Sequence, residues 1–187
     1  DPTKCHEVAR ALHARSGDVI VLSDVRLSSA NYGGLDQHGL ARTLTYWHGF
    51  TARAVLRNDT KAGGALVLTS TNGESRVDSN TPCSALLMGR LMELPMYVDH
   101  TYSSIAAGYY PYDGHDDVPA AKATLHKFFP SCCRRGREAG LMGDLNMDPS
   151  KLGKDKESWA YTVHAHSVAQ QLSNVLVPLG DTYQHPG

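Results

Sequence analysis

The apolar runs of this chain are short, and each one stops at a glycine or a polar residue. A fold built from such runs must bury strands and amphipathic helices against one another, because no single element is apolar enough to be buried alone. The clearest cases are "DVIVL" at residues 18–22, "GGALVLTS" at 63–70 and "AGLMGD" at 139–144. None approaches the roughly 20 apolar residues that a membrane helix needs. The start, "DPTKCHEVAR", lacks the form of a signal peptide. Targeting is therefore not legible here; the expectation is no membrane partner and, because the cysteines read as reduced thiols, an intracellular setting.

Along the chain, "CHEVARALHAR" carries a helix-like stripe at Val8 and Leu12, and Ser16–Gly17 supply a stop. "DVIVL" follows as a buried strand. Residues 28–39 cluster Ser, Asn, Gly and Asp and read as a loop. "FTARAVL" and "GGALVLTS" read as antiparallel strands joined by a turn at "RNDTKAGG". "STNGESRVDSNTP" reads as an exposed polar loop with an Asn-Gly turn. A hairpin is expected around Val98–Asp99–His100, then a helix with Ala121, Leu125, Phe128 and Phe129 inward. A last helix spans about Trp159 to Leu176, with Val163, Val168, Leu172 and Leu176 near one face. Strands interspersed with helices point to a sheet-based α+β or α/β sandwich, and 187 residues suit one domain over 1–187.

The formal net charge of −1 excludes a strong overall pull toward nucleic acid. "CCRRGR" and "KLGKDK" are local basic clusters, read as solvated loops that could touch phosphates. Cys5, Cys83, Cys132 and Cys133 show no CxxC spacing, which fits reduced thiols better than zinc or a disulfide framework. Cys132 and Cys133 are expected to pack a helix end. His164 and His166, two apart, would point to different sides of a helix and make poor ligands for one metal.

The chemistry-bearing residues stand at strand ends: Asp24 after "VIVLS", Tyr109 in "AGYYPYDG", and Asp144 with Asn146 in "LMGDLN". If the last strand ran on through residue 146, Asp144 and Asn146 would share a face, able to hold a hard cation or a phosphate oxygen. The competing reading is a turn, which Asp, Asn and Pro all favour. Of Tyr109 and Tyr110, alternation sends one to the core. His115, Asp116 and Asp117 read as a solvated loop, and Asp181 with His185 as a structural turn.

Taken in order, "DVIVLSD", "GGALVL", "YYP", "GDLN" and the late "LGDTYQHPG" resemble landmarks of the endonuclease/exonuclease/phosphatase superfamily. The pattern is nearest to non-LTR retrotransposon and apurinic endonuclease domains. The resemblance covers nearly the whole chain. It implies a deoxyribonuclease I-like α/β sandwich of mostly antiparallel sheets flanked by helices, and divalent-metal-dependent cleavage of DNA phosphodiesters. By the same resemblance Asp24 would ligate Mg²⁺, or Mn²⁺ in its place. Asp144 would orient or deprotonate the attacking water, Asn146 would hold a phosphate oxygen, and Tyr109 would stabilise developing charge.

The chain also departs from that pattern. Ser23–Asp24 replaces the family's Gln-Glu, Gln184 replaces its Arg, and the first Asn-bearing strand and the final catalytic His motif are absent. The expectation is a domain truncated at both ends relative to the family, hence an incomplete sandwich. Its alternative role is a catalytically degenerate domain of the same fold, acting as a structural or interaction component of an assembly. A protein partner would then cover exposed sheet edges. A phosphatase acting on inositol or sphingolipid headgroups is a weaker third reading.

Overall fold

The computed structural model describes residues 7, 10–14, 17–25, 40, 45–56, 64–147 and 156–169. They fall in two compact units, Asp1–Met147 and Asp148–Gly187.

In the first unit, residues 10–14 are helical. A four-stranded antiparallel sheet follows, formed by β1 (Val19–Ser23), β2 (Thr45–Trp47), β3 (Phe50–Val55) and β4 (Ala65–Thr69) in the order β1-β4-β3-β2. A second sheet has β5 (Ser84–Leu87), β6 (Leu91–Val98), β7 (Thr101–Tyr109) and β8 (Glu138–Asp144) in sequence order. There β7 and β8 run parallel and the other neighbours antiparallel. The parallel pair requires a crossover, supplied by the helix α2 (Val118–Arg134), while the short helix α1 (Thr71–Arg76) links the sheets. The chain is thus α+β with two mostly antiparallel sheets.

Strand alternation explains how the sheets pack. Val19, Val21, Val55, Ala65 and Val67 of the first sheet share one core with Met92, Leu94, Met96 and Ala107 of the second. The intervening residues Ile20, Leu22, Leu66, Leu68, Phe50 and Ala52 face the other way and form a second cluster with Leu12 of the N-terminal helical stretch. Ala121, Leu125, Phe128, Phe129 and Cys132 are the buried residues of α2, which packs on β5 and β8. The order is therefore helical stretch, sheet, sheet, helix. Each fully buried Leu or Phe in these layers contributes about 1.5–3 kcal/mol relative to exposure.

Several expected elements stand where the pattern put them. "FTARAVL" and "GGALVLTS" pair antiparallel as β3 and β4, in register from Thr51↔Thr69 to Val55↔Ala65. The hairpin at residues 98–101 turns through Asp99 and His100, both left-handed at φ 45° and 67°, as a two-residue turn matching strand twist requires. In the second unit, α3 (Trp159–Ala169) is capped by Ser158, whose hydroxyl accepts the Tyr161 N–H at 3.0 Å. Trp159 and Val163 are buried. The remainder expected of that helix, with Val168, Leu172 and Leu176, lies outside the described side chains, as do the loop at 28–39 and Asp181 and His185.

Two expectations are corrected. The polar "STNGESR" is not an Asn-Gly turn but α1: Ser70 caps it by accepting the Gly73 N–H at 3.1 Å. Glu74 then locks it to the sheet through Arg53, with Nη2 to Oε1 at 2.6 Å and Nη1 to Oε2 at 2.9 Å. "CCRRGR" is not a solvated loop either. It closes α2, and Arg135 and Arg137 reach Glu93 Oε1 at 2.9 and 3.5 Å, with the Arg137 guanidinium also over the Tyr102 ring at 4.2 Å. Cys132 is buried and Cys133 exposed at that helix end; both are free, as is Cys83. Among the described residues no helix is long and apolar enough to cross a membrane.

Candidate functional site

The strand ends gather because two glycines let three backbones approach closely. Gly108 in β7 has φ 153° and Gly143 in β8 has φ 126°. A Cβ on Gly108 would lie 1.9 Å from the Arg90 carbonyl oxygen, and one on Gly143 would lie 1.9 Å from the Gly108 carbonyl oxygen. Any side chain at either position would force the strands apart. Pairing Gly108 with Gly143 sets Tyr109 opposite Asp144.

Ser23 brings β1 to the same place. Its hydroxyl donates to the Gly108 carbonyl at 3.1 Å and accepts the Asp144 N–H at 3.1 Å. Asp24, the next residue, leaves the strand in the left-handed region at φ 54°. Asp and Asn tolerate that region better than other side chains, and such backbone departures concentrate at functional sites. Val25 then donates to Gly64 at 3.3 Å, and Gly64 donates to Gly89 at 2.8 Å, tying the segment to the turn before β6.

Asp144 and Asn146 do not share a strand face. β8 ends at Asp144, and Asn146 adopts φ 46°. The Asp144 carboxylate accepts the Asn146 N–H at 3.0 Å, an Asx turn, so the turn reading describes this segment. The turn still presents both groups. The Asn146 Nδ2 donates to the Tyr110 carbonyl at 2.7 Å, which orients the amide and leaves Oδ1 as an acceptor and the second Nδ2 hydrogen as a donor that the side chain can offer a ligand. Tyr110 N–H donates in turn to the Asp144 carbonyl at 3.0 Å. Asp144 is exposed, Asn146 half-buried.

Of the two tyrosines, Tyr110 is the core residue, fully buried, its hydroxyl donating to the Ala106 carbonyl at 2.6 Å. Burial pushes its phenol well above the ordinary range. Tyr109 is half-buried at the edge of the site.

Sequence reasoning missed the group behind Tyr109. Arg90 is fully buried, with Nε donating to Asp117 Oδ2 at 2.6 Å and Nη2 meeting His115 Nε2 at 2.9 Å. His115 and Asp117 are therefore not a solvated loop: they clamp an arginine that precedes them by 25 and 27 residues. No local pattern reports a pairing of that separation.

Asp24, Tyr109, Asp144 and Asn146 thus come to one end of the paired sheets. The oxygen donors suit a hard divalent cation, with two carboxylates and one amide on neighbouring chain segments. Among the described residues, no group of three or more His, Cys, Asp or Glu is gathered closely enough to hold a metal ion. A cation here would rest on the two carboxylates, the amide and water. No protein-family model matches the chain, and no curated protein matches it.

Proposed function

We propose that this chain is a divalent-metal-dependent phosphodiesterase with a deoxyribonuclease I-like fold, acting on DNA in the manner of retrotransposon or apurinic endonucleases. One observation carries the reading: the Ser23 hydroxyl bridges β7 and β8, so that Asp24, Tyr109, Asp144 and Asn146 meet at one sheet end. Mg²⁺ or Mn²⁺ bound there would supply Lewis-acid charge at a phosphate oxygen.

The protein's own groups divide the work. Asp24 would help hold the cation, and Asp144 takes a proton from the attacking water. Water oxygen adds to phosphorus as the bond to the leaving sugar oxygen breaks, and solvent returns a proton to that oxygen. Asn146, fixed by the Tyr110 carbonyl through one Nδ2 hydrogen, donates the other to a phosphate oxygen, and Tyr109 donates to the charge that develops in the transition state.

The test is Mg²⁺ titration calorimetry with a supercoiled-plasmid nicking assay on wild type and Asp24→Ala. Binding and nicking in wild type, both lost in Asp24→Ala, support the reading. A wild type that neither binds Mg²⁺ nor nicks overturns it and favours the alternative of a degenerate domain serving an assembly.

A further inference from the structure

Arg90 is fully buried, and its Nη1 has no hydrogen-bond partner among the described residues. Such a group is an expensive residue to keep for folding alone. A buried ion pair adds little stability over an apolar side chain of the same volume, and an unmade bond on a buried donor subtracts from it. A buried charge with an unsatisfied donor calls for a reason outside stability.

Its surroundings supply one. The Arg90 carbonyl accepts the Tyr109 N–H at 3.0 Å, and the guanidinium carbon lies 5.4 Å from the centroid of the Tyr109 ring. One residue thus holds the Tyr109 backbone and sets a fixed positive charge over its ring. The guanidinium is itself fixed from two sides: Asp117 Oδ2 accepts from Nε at 2.6 Å, and His115 Nε2, in the tautomer that carries its proton on Nδ1, accepts from Nη2 at 2.9 Å. Only a planar, multi-donor side chain can meet Asp117, His115 and the ring at once, which lysine cannot do.

We infer that Arg90 is a positioning residue for Tyr109, with Asp117 and His115 holding the guanidinium so that the tyrosine ring keeps one placement at the site. The inference rests on the reading of Tyr109 as a site residue. Its first test does not depend on that reading.

The protein is labelled with 3-fluorotyrosine and its ¹⁹F spectrum recorded, Tyr109→Phe identifying the Tyr109 resonance. In Arg90→Lys that resonance is expected to move or broaden, while that of Tyr97, at the opposite end of the β6–β7 ladder, stays in place. An unmoved Tyr109 resonance in folded Arg90→Lys overturns the inference. If Arg90→Lys does not fold, Asp117→Asn replaces it with the same expectation and the same overturning result.

The second test is nicking. Arg90→Lys is expected to lower kcat about 10- to 100-fold with KM little changed. In a Tyr109→Phe background the same change should cost less than about twofold, because its target is gone. Full, additive losses overturn the inference. A wild type without nicking activity would defeat the proposed function, and the ¹⁹F result alone would then decide the link between Arg90 and Tyr109.

Discussion

The Ser23 hydroxyl and the Asp144 backbone N–H are joined at 3.1 Å across 121 residues of sequence, and the same hydroxyl donates to Gly108. One oxygen therefore links the ends of β1, β7 and β8. Ser23→Ala leaves the exposed Asp144 N–H and the part-buried Gly108 carbonyl without this partner. The expected loss of unfolding free energy is about 0.5–1.5 kcal/mol. Faster hydrogen exchange at the Asp144 amide, with exchange in α2 unchanged, would place the effect at the strand ends. Equal protection in the two proteins would show that the bridge does not hold them.

The link between sheet and helix is ionic. Arg53, 6% exposed, meets Glu74 through two hydrogen bonds, and Thr69 donates to the same carboxylate. Burial works against the Glu74 charge, but Arg53 and Thr69 outweigh it and hold the carboxyl below its ordinary range. Glu74→Ala strands the guanidinium inside the protein. Removing one partner of a buried pair costs about 3 kcal/mol, well above an ordinary surface change. Urea unfolding of the variant checks this, and a loss below about 0.5 kcal/mol would rule out a working pair.

Much of the layering is legible in the sequence because it rests on local pattern. Alternation in "VIVL" and "ALVLT" separates the two faces of the first sheet, and "VDHT" gives a tight turn between long apolar segments. What the sequence hides is contact at long range. Asn72–Gly73 has the chemistry of a turn, yet Ser70 and the distant Arg53 make it helix. The candidate site divides the same way. Asp24, Tyr109, Asp144 and Asn146 stand out as polar groups at the ends of apolar runs, whereas Arg90 becomes visible only when His115 and Asp117 fold back on it. The Asx turn at Asp144 is one of two arrangements that "GDLN" allows, because strand and turn chemistry coincide there.

Asn146 tests how far the turn serves both structure and chemistry. Asn146→Asp keeps a side chain that tolerates φ 46° but replaces the Nδ2 donor with an acceptor facing the Tyr110 carbonyl. Stability should fall by about 1–2 kcal/mol. Nicking should fall about 100-fold, since a neutral donor-fixed amide becomes a repelling charge beside phosphate. Denaturation midpoints and kcat measured on one preparation check both, and unaltered kcat would remove Asn146 from the site.

Acid sensitivity should centre on Asp78. The Thr81 hydroxyl first, then the Tyr102 hydroxyl and the Asn80 N–H, hold its carboxyl at about 2, below its ordinary 3.8. A folded pKa below the unfolded one means that the unfolded chain takes up the proton first. The stability that Asp78 contributes is therefore fully present above the unfolded value and is lost as pH falls toward the folded value of about 2. Asp78→Asn cannot titrate. Urea midpoints of wild type and Asp78→Asn should differ at pH 5 and converge by about pH 2. A gap of constant size across that range would show that the Thr81 and Tyr102 hydroxyls do not favour the Asp78 charge.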